Sequence, residues 1–145
     1  MINEIMDAIA IKLHEVYGDE YEIHQNNIKQ GLQEPCFLIT LIDSTKENLL
    51  NLRSKRLLPF DILFFPSSGK NQCHSVSDTL MNELNMIKCI DGDLLHGTKM
   101  RSEIIDDVLH FFVSFNYIAI VKEEETGSME TLEVSSNTKE WPKIS

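Results

Sequence analysis

The chain has 145 residues, of which 42% are hydrophobic, and its formal net charge is −10. This length and apolar content suit one globular domain with its own core. The acidic balance argues against binding to nucleic acid, including sequence-specific binding, and against binding to anionic membranes, because both need a basic surface.

The N-terminal residues predict an amphipathic helix over Ile2–Tyr17, with Gly18 as its C-terminal stop. A short alternating strand follows at Glu20–His24, and Gln25–Pro35 is expected to be a loop. The nearly continuous apolar run Cys36–Ile42 predicts a core strand.

The next stretch is harder to assign. Asp43–Glu47 is interpreted as a turn, and Asn48–Leu58 fits no single structure. Pro59 is expected to open a strand at Phe60–Phe65, because proline is disfavoured inside a sheet. Ser67–Gln72 is predicted to be a flexible loop.

A second amphipathic helix is predicted over Ser75–Ile87, with Ser75 and Asp78 as a capping box. A short strand is expected at Lys88–Ile90. After the hairpin described next, Lys122–Ser128 is predicted to be a linker and Met129–Val134 a last strand.

The longest pattern is Asp93–Val121, which predicts an unusually long β-hairpin that turns at Asp106-Asp107. The resulting register pairs Ile105 with Val108, Glu103 with His110, Arg101 with Phe112 and Lys99 with Ser114. The core face should carry His96, Met100, Ile104, Leu109, Phe111, Val113, Phe115 and Tyr117.

The opposite face of this hairpin should carry Lys99, Arg101, Glu103, His110, Ser114 and Asn116, with Phe112 as an apolar exception. Arms of about 13 residues span roughly 43 Å at about 3.3 Å per residue. A domain of this size has a radius of gyration near ~15 Å, so the hairpin should cross the domain or protrude toward another subunit.

The order of these elements predicts an α+β fold, with a mostly antiparallel sheet, a long β-hairpin and two helices packed on one face. We expect a single domain over residues 1–135 and a loose C-terminal tail over 136–145. The start Met1-Ile2-Asn3-Glu4 lacks the basic residues of a signal peptide, so we expect synthesis in the cytoplasm and no membrane span.

No motif in the chain predicts a catalytic, cofactor or metal site. Ser68-Gly69-Lys70-Asn71 lacks the leading glycine and the hydroxyl of a phosphate loop. The predicted register separates His96 from His110 by roughly 23 Å. Cys73-His74 with Cys89 offers three ligands without the close CxxC pair of structural zinc, so the three cysteines, which include Cys36, are expected to be free and buried.

Glu103 opposite His110 is the best acid–base pair in the sequence. A carboxylate beside an imidazole can serve in catalysis, which makes a small cytosolic enzyme one alternative. A cross-strand salt bridge on an outer or subunit-facing surface is the simpler interpretation.

Four groups of residues form a recognisable set of segments along the chain. They are Gln30-Gly31-Leu32 with Glu34-Pro35-Cys36-Phe37, Pro59-Phe60-Asp61-Ile62 through Phe65-Pro66, Leu94–Met100, and Val108-Leu109-His110-Phe111-Phe112-Val113. These segments resemble the tail terminator, or tail completion, proteins of contractile-tailed bacteriophages and prophages. The resemblance covers roughly residues 1 to 135.

This resemblance implies a structural virion protein at the head-proximal end of the tail, with no catalytic residues and no cofactor. It implies a homo-oligomer, a hexameric ring, that contacts the tail tube protein, the tail sheath protein and a neck or connector protein. Another head–tail neck component is the alternative. We expect Lys99, Arg101, Glu103, His110 and Phe112 at the subunit interface, and Arg53, Lys55 and Arg56, the only basic cluster, in a partner-contact loop.

Overall fold

The computed structural model describes residues 1–26, 32–123 and 130–135. The chain folds as α+β, which confirms the predicted class. Its elements are α1 Ile2–Tyr17, β1 Glu22–Gln25, β2 Cys36–Leu41, β3 Thr45–Leu49, β4 Arg53–Phe65, α2 Lys70–Glu83, β5 Met86–Lys88, β6 Leu94–Ile105, β7 Val108–Glu123 and β8 Glu130–Ser135.

The first helix forms where the apolar spacing predicts it. Its buried stripe consists of Ile5, Met6, Ala8, Ile9 and Leu13. The helix ends at Gly18, whose φ of 64° is accessible to glycine at little cost, and whose N–H donates to the His14 carbonyl at 2.7 Å.

Two long antiparallel strands, β4 and β7, form the centre of the sheet. They pair continuously from Arg53 opposite Ile120 to Phe64 opposite Leu109. At one end β2 flanks β4 and β6 flanks β7, and at the other end β3 flanks β4 and β8 flanks β7. β1 is parallel to β2, and β5 pairs with the start of β6.

Two predictions for the middle of the chain are wrong. Thr45 begins β3 inside the predicted turn, and β4 starts at Arg53 and runs straight through Pro59. The carbonyl of Pro59 accepts from Ile42 N–H at 2.9 Å, in the gap between β2 and β3. The missing proline N–H therefore faces a place where the ladder is already interrupted, so proline costs little there.

The predicted hairpin is present as β6 and β7. Its turn residues Asp106 and Asp107 have φ of 52° and 64°, as a type I′ turn requires. The pairs Ile105–Val108, Glu103–His110 and Arg101–Phe112 are confirmed.

The fourth predicted pair, Lys99 with Ser114, is wrong. A bulge lies between Thr98 and Arg101, and Thr98 faces Ser114 instead. Lys99 takes a left-handed conformation with φ of 55°. The extra residue shifts the start of β6, which leaves His96 exposed although the regular alternation placed it in the core.

The core lies between the two helices and one side of the sheet. It includes Phe37, Phe60, Phe64, Phe111 and Phe115, all fully buried. Met100 and Ile104 pack against it, and Leu109, Val113 and Tyr117 are buried, as predicted. We call the other side of the sheet the open face; it carries Leu38, Asp61, Leu63, His110, Phe112 and their cross-strand neighbours, and no helix of the described residues covers it.

The second helix starts earlier than predicted, at Lys70, with Gly69 as its N-cap and no side-chain cap. The predicted capping box of Ser75 and Asp78 is therefore wrong. The side chain of Gln72, in the first turn of α2, instead binds the loop before the helix. Its Oε1 accepts hydrogen bonds from the N–H groups of Ser67 and Ser68 at 2.9 and 2.8 Å.

The remaining boundaries shift by a few residues. β5 at Met86–Lys88 replaces the strand predicted at Lys88–Ile90, and β8 at Glu130–Ser135 confirms the predicted last strand. β7 extends to Glu123, so the predicted linker begins later than expected. The rest of that linker and the predicted loose tail over 136–145 lie outside the described residues.

Candidate interaction surface

The open face is organised in rows by the strand register. Across β2, β4, β7 and β6 one row holds Leu38, Leu63, His110 and Glu103. The next row holds Thr40, Asp61, Phe112 and Arg101. Ionisable and apolar side chains are therefore interleaved at the middle of the sheet.

A histidine–aspartate pair lies at the centre of this face. Asp61 and His110 are diagonal neighbours on β4 and β7, and His110 Nδ1 lies 2.9 Å from Asp61 Oδ2. Their side chains are only 15% and 21% exposed. The other carboxylate oxygen of Asp61, Oδ1, is buried and has no hydrogen-bond partner among the residues that the structure describes.

The environment of Asp61 opposes its ionisation. Burial raises the pKa of the Asp61 carboxyl above its ordinary value, and the hydrogen bond from His110 offsets only part of that effect. Among the described hydroxyl groups none hydrogen-bonds to His110; those of Thr40 and Ser114 donate to the Asp61 backbone carbonyl and to Asn116 Oδ1. The pair thus aligns no described hydroxyl as a nucleophile.

Neither interpretation of Glu103 with His110, the cross-strand salt bridge or the acid–base couple, is found in the structure. The two residues are cross-strand neighbours, as predicted, but Glu103 Oε1 lies 3.3 Å from Arg101 Nη1 on the exposed surface. His110 turns to Asp61 instead, and its Nδ1 lies 2.9 Å from Asp61 Oδ2 at a less exposed position.

Phe112 is held in a stack of charged and aromatic groups. The Arg101 guanidinium carbon lies 4.2 Å from the centre of its ring. The His110 ring lies 6.2 Å away at an interplanar angle of 17°. A cation over an aromatic face is attracted to the ring quadrupole, so these contacts orient Phe112 on the open face.

The bulge in β6 brings Lys99 to the same surface. Lys99, Phe112, Ser114, Leu57 and Pro59 line a shallow concavity of about 270 Å³ on the open face. The five residues predicted for the subunit interface are thus neighbours on one surface: Arg101, Glu103, His110 and Phe112 by register, and Lys99 through the concavity.

The predicted partner-contact loop is not a loop, because Arg53, Lys55 and Arg56 all lie in β4. Arg56 is turned inward, where its guanidinium donates to Ser44 Oγ at 2.7 Å and to Tyr117 Oη at 3.3 Å. Only Arg53 and Lys55 are exposed. The basic cluster is therefore divided between the two sides of the strand.

Sequence patterns missed the tip of the β3–β4 hairpin. Leu50 and Leu52 are 81% and 53% exposed at this tip. Asn51 and Leu52 both have positive φ, 64° and 59°. The two leucines resemble ordinary core residues in sequence, so only their position in the fold shows that they are presented to solvent.

The cysteines are free and buried, as predicted. Burial raises the pKa of the Cys89 thiol to about 12 and also raises the pKa values of Cys36 and Cys73. Within residues 1–26, 32–123 and 130–135, no three ligand-type side chains are grouped so that they could hold a metal ion.

Comparison with known proteins agrees with the resemblance seen in the sequence. The family model described as Phage tail terminator protein matches residues 4–128, and no curated sequence matches the chain. In the described part of the chain, no helix has the length and apolar character needed to cross a membrane. Because the family match covers most of the 145 residues, the chain belongs to the phage tail terminator protein family, a family of structural proteins of the phage tail.

Proposed function

We propose that this protein is the terminator of a contractile phage tail, and that it acts as a ring at the head-proximal end. The ring caps the tail tube and the sheath, ends their polymerisation and presents a docking surface to the neck or connector protein. The family match over residues 4–128 carries this proposal.

The charge of the protein supports a role in which DNA passes without being held. A net charge of −10 disfavours binding to the phosphates of DNA, because the overall field of the protein is repulsive to them. A ring with negative charge at its lumen would repel the DNA that slides through it.

We propose that the open face contacts a neighbouring subunit through Lys99, Arg101, Glu103, His110 and Phe112. Phe112 is an apolar ring on a half-buried sheet surface, and the stack with Arg101 and His110 holds it in place. Aromatic and arginine side chains held in this way are typical anchors of protein interfaces.

Two alternatives follow from the same chain. Another component of the head–tail neck would share the virion location and the ring, and differ in which proteins it joins. A small enzyme that uses Glu103 and His110 is less consistent with the geometry, because Glu103 bonds to Arg101 and His110 to Asp61. We therefore propose a structural and not a catalytic role.

Deletion of the gene from its particle tests the terminator role directly. Tails of uncontrolled length that lack heads are expected, and electron microscopy of lysates measures the length distribution. Complementation in trans with the wild-type chain should restore one uniform length. Headed tails of normal length in the deletion would exclude this function, and uniform tails without heads would favour the neck component.

The open face is tested with Phe112→Ala, with Lys55→Ala as an exposed control on the same side of the sheet. Phe112→Ala should lower the yield of rings and leave the far-ultraviolet circular dichroism spectrum unchanged. Lys55→Ala should assemble like the wild type, because isolated exposed charges contribute little. Normal ring yield from Phe112→Ala would remove this face from the interface.

A further inference from the structure

The tip of the β3–β4 hairpin has the properties of an inserting element. Leu50 and Leu52 present apolar side chains to solvent, 81% and 53% exposed, at the end of the longest paired region of the sheet. No described contact of the folded chain accounts for two exposed leucines at one tip. Exposed apolar groups that cluster in this way mark contact surfaces.

The backbone conformation at the tip is a second indication of a contact site. Leu52 has φ of 59°, a left-handed conformation that glycine or asparagine adopts much more readily than leucine. The position therefore holds a residue that is unfavourable for the isolated turn and that packs against nothing in the core. Strain of this kind is typical of functional positions.

The hairpin is also the basic part of an acidic chain. Residues 45–57 contain Lys46, Arg53, Lys55 and Arg56 against the single acid Glu47, a net charge of +3. Because the whole chain carries −10, the remaining residues carry −13. A second copy of the same chain therefore offers an acidic surface that complements the charge of this hairpin.

A receptive groove exists on that copy, where α1 meets β5 and β6. Ile11, Met86 and Leu94 form its apolar rim, each between 41% and 46% exposed, and the buried Ile87 completes the apolar lining. The groove encloses about 170 Å³.

The charges at this groove are mixed. Lys12, Glu15 and Lys88 share its lining. The acidic turn between β5 and β6, with Asp91 and Asp93, lies beside it in the chain. The apolar rim supplies the contact, and Asp91 supplies a partner for Arg53.

We propose that the hairpin tip of one subunit inserts Leu50 and Leu52 into the Ile11–Met86–Leu94 groove of the next subunit. The inference rests on the proposed ring and deepens it, since it adds the tip and the groove to the contact between neighbouring copies that the open face begins. The tip and the groove are different patches, so the contact is heterologous and each subunit uses both. Such contacts close into rings when the rotation between subunits fits.

The test uses two half-interface variants, each mutated on one side of the contact. The tip variant carries Leu50→Ser and Leu52→Asn, and the groove variant carries Ile11→Ser and Leu94→Ser. Ile105→Ser is the matched control, because Ile105 is exposed to a similar degree, 44%, at the opposite turn. Light scattering coupled to size-exclusion chromatography measures the mass of each sample over a concentration series.

Wild type and the control should assemble beyond the monomer mass of 16.7 kDa. Each half-interface variant alone should remain monomeric, with association weakened roughly tenfold or more, as expected for a buried anchor. A mixture of the two variants retains one intact tip and one intact groove. It should therefore form a one-to-one dimer and nothing larger.

The Leu52→Asn substitution alone separates an assembly role from a structural one. Asparagine tolerates the left-handed conformation, so this variant should melt no lower than the wild type and yet assemble less well. A variant that melts lower and assembles normally would show that Leu52 serves only the fold.

Three results would overturn the inference: a wild type that stays monomeric, tip variants that assemble like the wild type, or a mixture that remains monomeric. Each is distinguishable from failure of the terminator role, which the tail lengths of the deletion decide. Tip variants that form rings but no longer bind isolated tails would reassign the tip to a tail protein.

Discussion

Gly97 makes the closest backbone approach recorded for any described glycine, and its replacement gives the sharpest stability prediction. A Cβ atom at this position would overlap the Leu84 carbonyl oxygen and lie 2.9 Å from Met100 Cε and 3.0 Å from Val113 Cγ2. The N–H of Gly97 also donates to the Asn85 carbonyl at 2.9 Å. The end of α2 can therefore rest on β6 only because no side chain intervenes.

The cost of Gly97→Ala follows from these contacts. Overpacking against a backbone carbonyl costs about 1–3 kcal/mol, and weakening the bond to Asn85 adds about 1 kcal/mol. The lower entropy of unfolded alanine offsets about 0.4–1 kcal/mol. A net loss of about 2–3 kcal/mol lowers Tm by roughly 6–12 °C for a domain of this length.

Thermal unfolding followed by circular dichroism measures this loss, with His96→Ala, at the exposed neighbour, as the control. That control should change the free energy of unfolding by less than about 0.5 kcal/mol. The double variant Gly97→Ala, Met100→Ala separates the two kinds of overlap. Because the Leu84 carbonyl cannot move as easily as the methionine, the double variant should not recover stability, and full recovery would refute the steric argument.

Three further predictions concern titration and charge. Burial raises the pKa of the Asp61 carboxyl from its ordinary value of 3.8, so the folded state keeps this proton longer and its contribution to stability is lost as pH rises through the raised pKa. In Asp61→Asn, the free energy of unfolding measured by urea titration should therefore fall less as pH rises through this range. The same pH dependence in Asp61→Asn and wild type would show that Asp61 is not the group responsible. With a thiol pKa of about 12, Cys89 should resist Ellman's reagent at about pH 8 until the protein is denatured, and fast labelling of the native state would show an open core. Arg56→Ala should cost about 1–2 kcal/mol through its bonds to Tyr117 and Ser44, whereas Lys55→Ala should cost less than about 0.5 kcal/mol, and equal losses would show that Arg56 is not structural.

The sequence predicts the hairpin register well because two local signals agree. Alternation over β7 sets its buried face, and the Asp106-Asp107 turn sets the pairing next to it. The predicted register fails at the bulge after Thr98. The bulge inserts one residue into β6, and no change in the types of residue along the strand indicates it. Gly97 contacts the end of α2 next to that irregularity, and this contact is visible only in three dimensions.

The segment around β3 and β4 could not be predicted for a different reason. β4 takes its place in the sheet from pairing with β7, whose partner residues lie 45 to 67 positions further along the chain, and β3 pairs with β4. The residues between Asp43 and Leu58 mix leucines with polar and basic residues, and they lack the regular alternation of a half-buried strand. Proline usually marks a strand boundary, but Pro59 faces the gap between β2 and β3, so β4 can continue through it.

The candidate interaction surface was also predictable only where its residues lie on one hairpin. Register arithmetic along one hairpin places Arg101, Glu103, His110 and Phe112 together, and the structure confirms this grouping. The register of this hairpin cannot predict the contact with Asp61, which lies on β4, 49 positions before His110, and reaches it diagonally. A search confined to one hairpin therefore assigned the histidine to the wrong carboxylate.

The long strand β7 extends the sheet beyond the part that it forms with β6. Only the first part of β7 pairs with β6; its second part continues between β4 and β8, and the first part of β4 lies between β7 and β3. The extended end of the sheet is thus four strands wide, which makes it stiffer than a lone hairpin. Leu50 and Leu52 are therefore held in place before any partner arrives, and a preorganised tip loses less conformational entropy on binding than a free loop. Stiffness at the tip is what a repeated contact between ring subunits requires, because a small angular error at each contact would prevent closure.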